Sequence, residues 1–141
     1  MVNPTNHPTE ASPRGQRSRP VLVIIDDDRT VLTSLRIALG TRFEVFTFST
    51  PYSGVVFIQE NDPDALLLDI RMPQHDGFWV FSEVRKFNRR VPIVFNSAFQ
   101  DVMSPGTAGE IYKPFAYLPK NGHLKELVGV LENACAQQSR G

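Results

Sequence analysis

The sequence predicts an α/β domain in which one parallel sheet is covered by helices on both faces. Two observations carry this. Five short apolar runs, at residues 21–25, 43–48, 65–68, 91–96 and 115–119, alternate with stretches whose apolar residues recur at helical spacing, the pattern of βαβ units. Two of these runs, Val21–Ile25 and Ala65–Leu68, are apolar at every position, as expected of strands buried on both faces. Each breaks off abruptly in carboxylates.

The elements follow in order. Residues 1–20 hold four prolines and no aromatic residue. Such a segment buries too little apolar surface to fold, so a disordered tail is expected, mildly basic through Arg14, Arg17 and Arg19. The first strand, Val21–Ile25, runs into Asp26, Asp27 and Asp28. Val31, Leu32, Leu35, Ala38 and Leu39 then make one broad helical face, closed by Gly40 as a C-cap. Phe43–Phe48 is aromatic and β-branched, hence a strand. Thr50 and Pro51 read as N-cap and first helical residue, opening a helix that carries Val55, Val56 and Ile58 to about Glu60.

The third strand ends in Asp69 and is followed by a turn containing Pro73, Asp76 and Gly77. Phe78, Phe81, Val84 and Phe87 give a third helix, with Trp79 off the stripe and partly exposed. A fourth strand over residues 91–96 leads into Ser97 and Ala98. Residues 99–115 are the least regular, because Pro105, Gly106 and Gly109 oppose a helix there. Phe115–Pro119 is the fifth strand, and Leu124, Leu127, Val128 and Leu131 form a last amphipathic helix that frays after Cys135. The folded domain is therefore expected over residues 21–135, with 136–141 a short tail. Right-handed crossovers leave few topologies, and the doubly wound, flavodoxin-like strand order 2-1-3-4-5 is the expected one.

Composition excludes several functions. Lys plus Arg and Asp plus Glu both total 15, so no global charge favours nucleic acid. The single cysteine, Cys135, permits neither a disulfide framework nor a thiolate metal site. His7, His75 and His123 show no ligand spacing and read as solvated. No run approaches the ~20 apolar residues of a membrane span, and no secretory signal is evident. A cytoplasmic protein is the default expectation.

Ligands of open parallel sheets bind outside the carboxyl ends of the strands. Asp69 alone reads equally well as a turn starter. In the expected order, however, Asp26, Asp27 and Asp69 converge on one edge. Close carboxylates repel, which raises their pKa values, and a hard divalent cation such as Mg²⁺ relieves this. Ser97 and a lysine after the fifth strand reach the same crevice. Carboxylates with Mg²⁺, a hydroxyl and an ammonium make a phosphoryl-transfer site.

These residues resemble the response regulator receiver domains of two-component signalling, including the single-domain type that serves chemotaxis. IIDDD resembles the family's acidic pair, LLLDIRMPQHDG its phosphoacceptor segment, FNSAF its hydroxyl followed by a small residue, and YLPK its aromatic and lysine. The resemblance implies that Asp69 takes a phosphoryl group from a sensor histidine kinase or phosphotransfer protein. It implies Mg²⁺ held by Asp27, Asp69 and the backbone carbonyl of Arg71, with Asp26 helping through water. Ser97 and Lys120 would hold phosphoryl oxygens, Ala98 would leave room for them, and Tyr117 would be the switch aromatic. The product is a signalling module rather than an enzyme. A downstream partner, or an output domain of a longer protein, would read it; a homodimer is left open.

The sequence departs from the family in placing Asn121, not proline, after Lys120. Lys113-Pro114-Phe115 reproduces the familiar tripeptide, but only 15 residues separate Ser97 from Lys113, too few for a helix, a strand and two connections. Lys120 is therefore the expected lysine. Arg71 and Phe99, two past the acceptor and the hydroxyl, are both large, which implies a long-lived phosphorylated state. The alternative reading is a haloacid-dehalogenase-like phosphatase, in which Asp26, Asp28 and Thr30 resemble a DxDxT motif; it gives Asp69 no role.

Overall fold

The computed structural model describes residues 10–98 and 112–140. Five strands, β1 (Val21–Ile25), β2 (Glu44–Phe48), β3 (Ala65–Leu68), β4 (Ile93–Ser97) and β5 (Ala116–Pro119), form one sheet in the order β2-β1-β3-β4-β5. Every pairing is parallel. The described helices are α1 (Arg29–Leu39), α2 (Pro51–Asn61), α3 (Gly77–Phe87) and the C-terminal α4 (Leu124–Arg140). The expected strand order is the observed one. Of the irregular segment 99–115, residues 99–111, Phe99 among them, lie outside the described residues.

The sheet separates two cores, and strand pleating decides which residue joins which. Val21, Val23 and Ile25 of β1 pack on the α2–α3 side with Leu66 and Leu68, while Leu22 and Ile24 pack on the α1–α4 side with Ala65 and Leu67. Both faces are covered, which is why β1 and β3 read as unbroken apolar runs.

The helices depart from expectation in detail. On α2 the buried residues are Pro51, Gly54, Phe57 and Ile58; Val55 is half-buried and Val56 exposed. The helix lies so close to β1 that a Cβ on Gly54 would stand 2.2 Å from Ile25 Cδ1. On α3, Val80 is buried where Phe87 was expected, and Phe87 lies partly in solvent. Trp79 is half-exposed and stacks on His75, with ring centroids 3.9 Å apart; the exposed His75 is thus not simply solvated. The last helix continues to Arg140 rather than fraying after Cys135, because Leu127, Leu131, Ala134 and Cys135 keep one face against the core.

From residue 10 onward, the leader expected to be disordered is instead held against the domain. Arg14–Gln16 forms a 3₁₀ turn, and Arg14 and Arg17 bond the chain just before β3. Its residues are attached mainly by ion pairs and hydrogen bonds, with Ala11 packed against the core, whereas the expectation rested on apolar burial.

Candidate functional site

Four strand ends, those of β1, β3, β4 and β5, build the site. The β1 run ends at Asp26, which is buried, and continues into exposed Asp27 and Asp28. The Asp26 N–H donates to Phe48 O at 3.1 Å and the Asp69 N–H to Ile25 O at 2.9 Å. These two ladder bonds hold both acids at the carboxyl edge, on adjacent strands. One carboxylate oxygen from each of Asp26, Asp27 and Asp69 lies within 4.8 Å of the others.

The opposite charge comes from the fifth strand. The Lys120 N–H donates to Ser97 O at 3.1 Å, which sets the lysine beside the end of β4. Lys120 Nζ lies 2.7 Å from Asp26 Oδ2 and 3.5 Å from Asp69 Oδ1. Burial alone would lower the Lys120 pKa, but the bond to Asp26 and the charges of Asp26 and Asp69 outweigh it, and the net shift is upward. Burial, followed by repulsion from Asp26, pushes the Asp69 carboxyl up to about 7, with Lys120 acting against both. One ammonium does not offset three acids. Oxygen donors at this spacing, short of positive charge, fit a hard divalent cation such as Mg²⁺.

Ser97 ends β4 and is buried, whereas Ala98 beyond it is exposed. Tyr117 lies opposite Phe95 in the β4–β5 register, with the rings stacked 5.4 Å apart. Its hydroxyl is buried and has no hydrogen-bond partner among the described residues. Desolvation and the neighbouring Tyr112 raise its pKa. Arg71 is exposed on the loop after Asp69. Lys113 is also exposed, in a left-handed backbone conformation with φ of 49°. Among the described residues no peptide bond is cis, including the one between Lys120 and Asn121.

Asp28 is apart from the cluster. Its carboxylate accepts from the Thr30 and Val31 N–H groups and caps α1, leaving the DxDxT reading without its second acid. Two features were missed in the sequence. Ile70 and Met72 of the loop after Asp69 are buried in the α2–α3 core and anchor that loop; a run broken by Asp69, Arg71 and Pro73 gave no periodic signal. Gly77 is the second. Its Cβ, if present, would meet Asp69 O at 2.4 Å, so α3 starts in direct contact with the loop after Asp69. Only the turn chemistry of Gly77 was visible.

The family model for the response regulator receiver domain matches residues 22–132. The chain belongs to the receiver domain family. Among curated relatives, response regulator MprA of Mycobacterium ulcerans is 36% identical over 110 residues, covering 76% of this chain and 46% of the relative. The chain thus spans about half the length of the curated relatives it matches. The receiver domain of a two-component response regulator from Bacteroides fragilis superposes with a TM-score of 0.74 at 27% identity, covering 84% of this chain and 98% of that one. A CheY-like receiver domain from Methanospirillum hungatei has a TM-score of 0.79 at 19% identity, covering 87% and 98%, and speaks for the fold alone. Among the described residues, no helix of this receiver domain is long and apolar enough to cross a membrane.

Proposed function

We propose that this receiver domain accepts a phosphoryl group on Asp69 from the phosphohistidine of a sensor kinase or phosphotransfer protein, in a Mg²⁺-dependent reaction. The observation that carries the reading is the placement of buried Asp69 beside Asp26, Asp27 and the Lys120 ammonium. A structural acid is ordinarily paired off; here burial and Asp26 drive the carboxyl up to about 7, a mark of functional sites.

In the step itself, a carboxylate oxygen of Asp69 forms the new P–O bond as the P–N bond to the donor histidine breaks. The imidazole nitrogen keeps the bonding pair. Asp27, Asp69 and the Arg71 carbonyl would hold the cation, with Asp26 assisting from beside them. When bound, the cation supplies charge stabilisation to the transferring phosphoryl oxygens. Lys120 sits where its ammonium can reach one of those oxygens, and the Ser97 hydroxyl takes another, with Ala98 too small to obstruct it. The acyl phosphate adds nearly two negative charges. Ser97 moves toward it, and Tyr117, whose buried hydroxyl lacks a partner among the described residues, is the aromatic that reports the change. The domain acts as a cytoplasmic signalling module read by a downstream partner or by an output domain, and it does not itself bind nucleic acid.

Incubation with acetyl phosphate and Mg²⁺, borohydride trapping and peptide mapping tests this. Modification is expected at Asp69. Modification at Asp26 or Asp28 instead overturns it.

A further inference from the structure

At the end of the sheet opposite Asp69, Asp64 precedes β3 and is buried, with 6% of its surface exposed. Its carboxylate accepts from the Val21 N–H at 2.8 Å and pairs with Arg17 at 3.1 Å and with Arg14. The Arg17 side chain is itself 6% exposed. A buried carboxylate whose partners are removed is strongly destabilising, since its charge is left uncompensated.

Arg14 and Arg17 also reach the end of α2, and Arg19 the end of α1. Arg17 donates to Asn61 O and Asp62 O, at 2.9 and 3.0 Å, where α2 stops, and to Ser12 O of the leader at 2.8 Å. Arg14 donates to Asp62 O at 2.9 Å and pairs with the Asp62 carboxylate at 3.0 Å. Arg19 donates to Gly40 O, just past α1. The last carbonyls of a helix have no partner within it and carry the negative end of its dipole. Guanidinium groups satisfy both needs, and their forked donors do so at several oxygens at once. Backbone bonds complete the attachment: the Ala11 N–H donates to Asn61 Oδ1 at 2.9 Å, and the Glu44 N–H to Pro20 O at 2.8 Å.

We propose that residues 10–20 form an arginine strap that is an integral part of this receiver domain. The strap ties β1, β2, the carboxyl ends of α1 and α2 and the start of β3 together, with the Arg17–Asp64 pair as its centre. The folding unit therefore begins before β1, not at it. The strap lies away from the acceptor edge and stands independently of the phosphoacceptor reading.

Trypsin digestion and thermal unfolding of the full chain test it. In the unaltered protein, cleavage after Arg14 and Arg17 should be at least about a hundredfold slower than in a free peptide of residues 1–20, since it must await local opening. Arg17→Ala should lower Tm by about 10 °C and bring cleavage after Arg14 close to the peptide's rate. Arg17→Lys, which keeps the charge but not the fork, should fall between. Acetyl phosphate labelling of Asp69 in folded Arg17→Ala should be unchanged, so a failure of the strap is distinguishable from a failure of the site. Peptide-like cleavage of the unaltered chain overturns the proposal even if the variant does not fold, and so does an Arg17→Ala Tm within about 2 °C of the parent.

Discussion

The ammonium of Lys120 stands 2.7 Å from a carboxylate oxygen of Asp26. It therefore holds the acidic edge together as well as facing Asp69 at 3.5 Å. Lys113 has no such position: it is exposed, and none of the ion pairs found among the described residues involves it. Lys120→Ala should lower fluoroberyllate affinity by about tenfold or more, about 1.4 kcal/mol, because the ammonium facing the anion site is lost. Lys113→Ala should change it less than about twofold. The opposite ranking would remove Lys120 from the site.

The site was legible in the sequence to the extent that chemistry follows strand ends. Asp26 and Asp69 each terminate an apolar run, Asp27 follows Asp26 directly, and the position of the runs places all three on one edge once the strand order is known. Lys120 was legible by chain length, through the room needed after Ser97. The Arg14 and Arg17 contacts were not legible, because their partner Asp64 lies 50 and 47 residues away and neither end has a periodic signature. The buried face of α2 was also hidden: Val55, Val56, Phe57 and Ile58 are all apolar, so sequence alone did not say which of them turns inward.

The raised Asp69 pKa has a consequence for stability. With its ordinary value in the unfolded chain and about 7 in the folded one, the native state holds the extra proton between about pH 4 and 7. Stability in metal-free buffer should therefore fall as pH rises through that window. Asp69→Asn removes the buried charge and should raise stability at pH 8 by about 2–4 kcal/mol, while flattening the pH dependence between 4 and 7. Mg²⁺ should narrow the difference. Chemical denaturation at pH 5 and pH 8, with and without Mg²⁺, measures all three effects; an unchanged slope in Asp69→Asn would place the titrating group elsewhere.

Asp28 and Asp26 are separable by the same logic. Asp28 is an exposed cap on α1, accepting from Thr30 N–H at 2.9 Å. Asp28→Ala should cost about 1 kcal/mol of stability and leave labelling of Asp69 within about twofold, because no cluster oxygen is lost. A phosphatase using Asp28 would instead lose its chemistry entirely. Labelling yield and urea midpoint, measured together, decide between the two.

Cys135 is buried against α1 and β3 residues, and burial, with lesser contributions from Asp64 and Glu132, pushes its thiol up to about 12. The thiolate is the reactive form. Reaction with Ellman's reagent at pH 8 should thus follow unfolding and be negligible in the native protein. Rapid native-state labelling would show that α4 opens readily from the sheet.

The start of α3 constrains the loop after Asp69 most tightly. The Gly77 N–H donates to Ile70 O at 2.8 Å, and Asp76 caps the helix by accepting from Trp79 N–H at 2.9 Å. A Cβ on Gly77 would stand 2.4 Å from Asp69 O and 3.0 Å from Ile70 Cα. These are backbone atoms, and no rotamer change can move them aside. Gly77→Ala must push the helix away from the loop, and the displaced peptide is the one that carries Asp69. The overpacking should cost about 1–3 kcal/mol, and fluoroberyllate affinity should fall as well, because the acceptor is repositioned. Gly129→Ala on α4 is the control: nothing lies within 4 Å of its Cβ, so the variant should gain up to about 1 kcal/mol from helix propensity and bind normally. Trp79 is the single tryptophan and sits two residues after Gly77, so its fluorescence reports both unfolding and loop displacement. A Gly77→Ala protein with parental stability, affinity and emission would mean that the loop gives way freely and does not hold Asp69 in place.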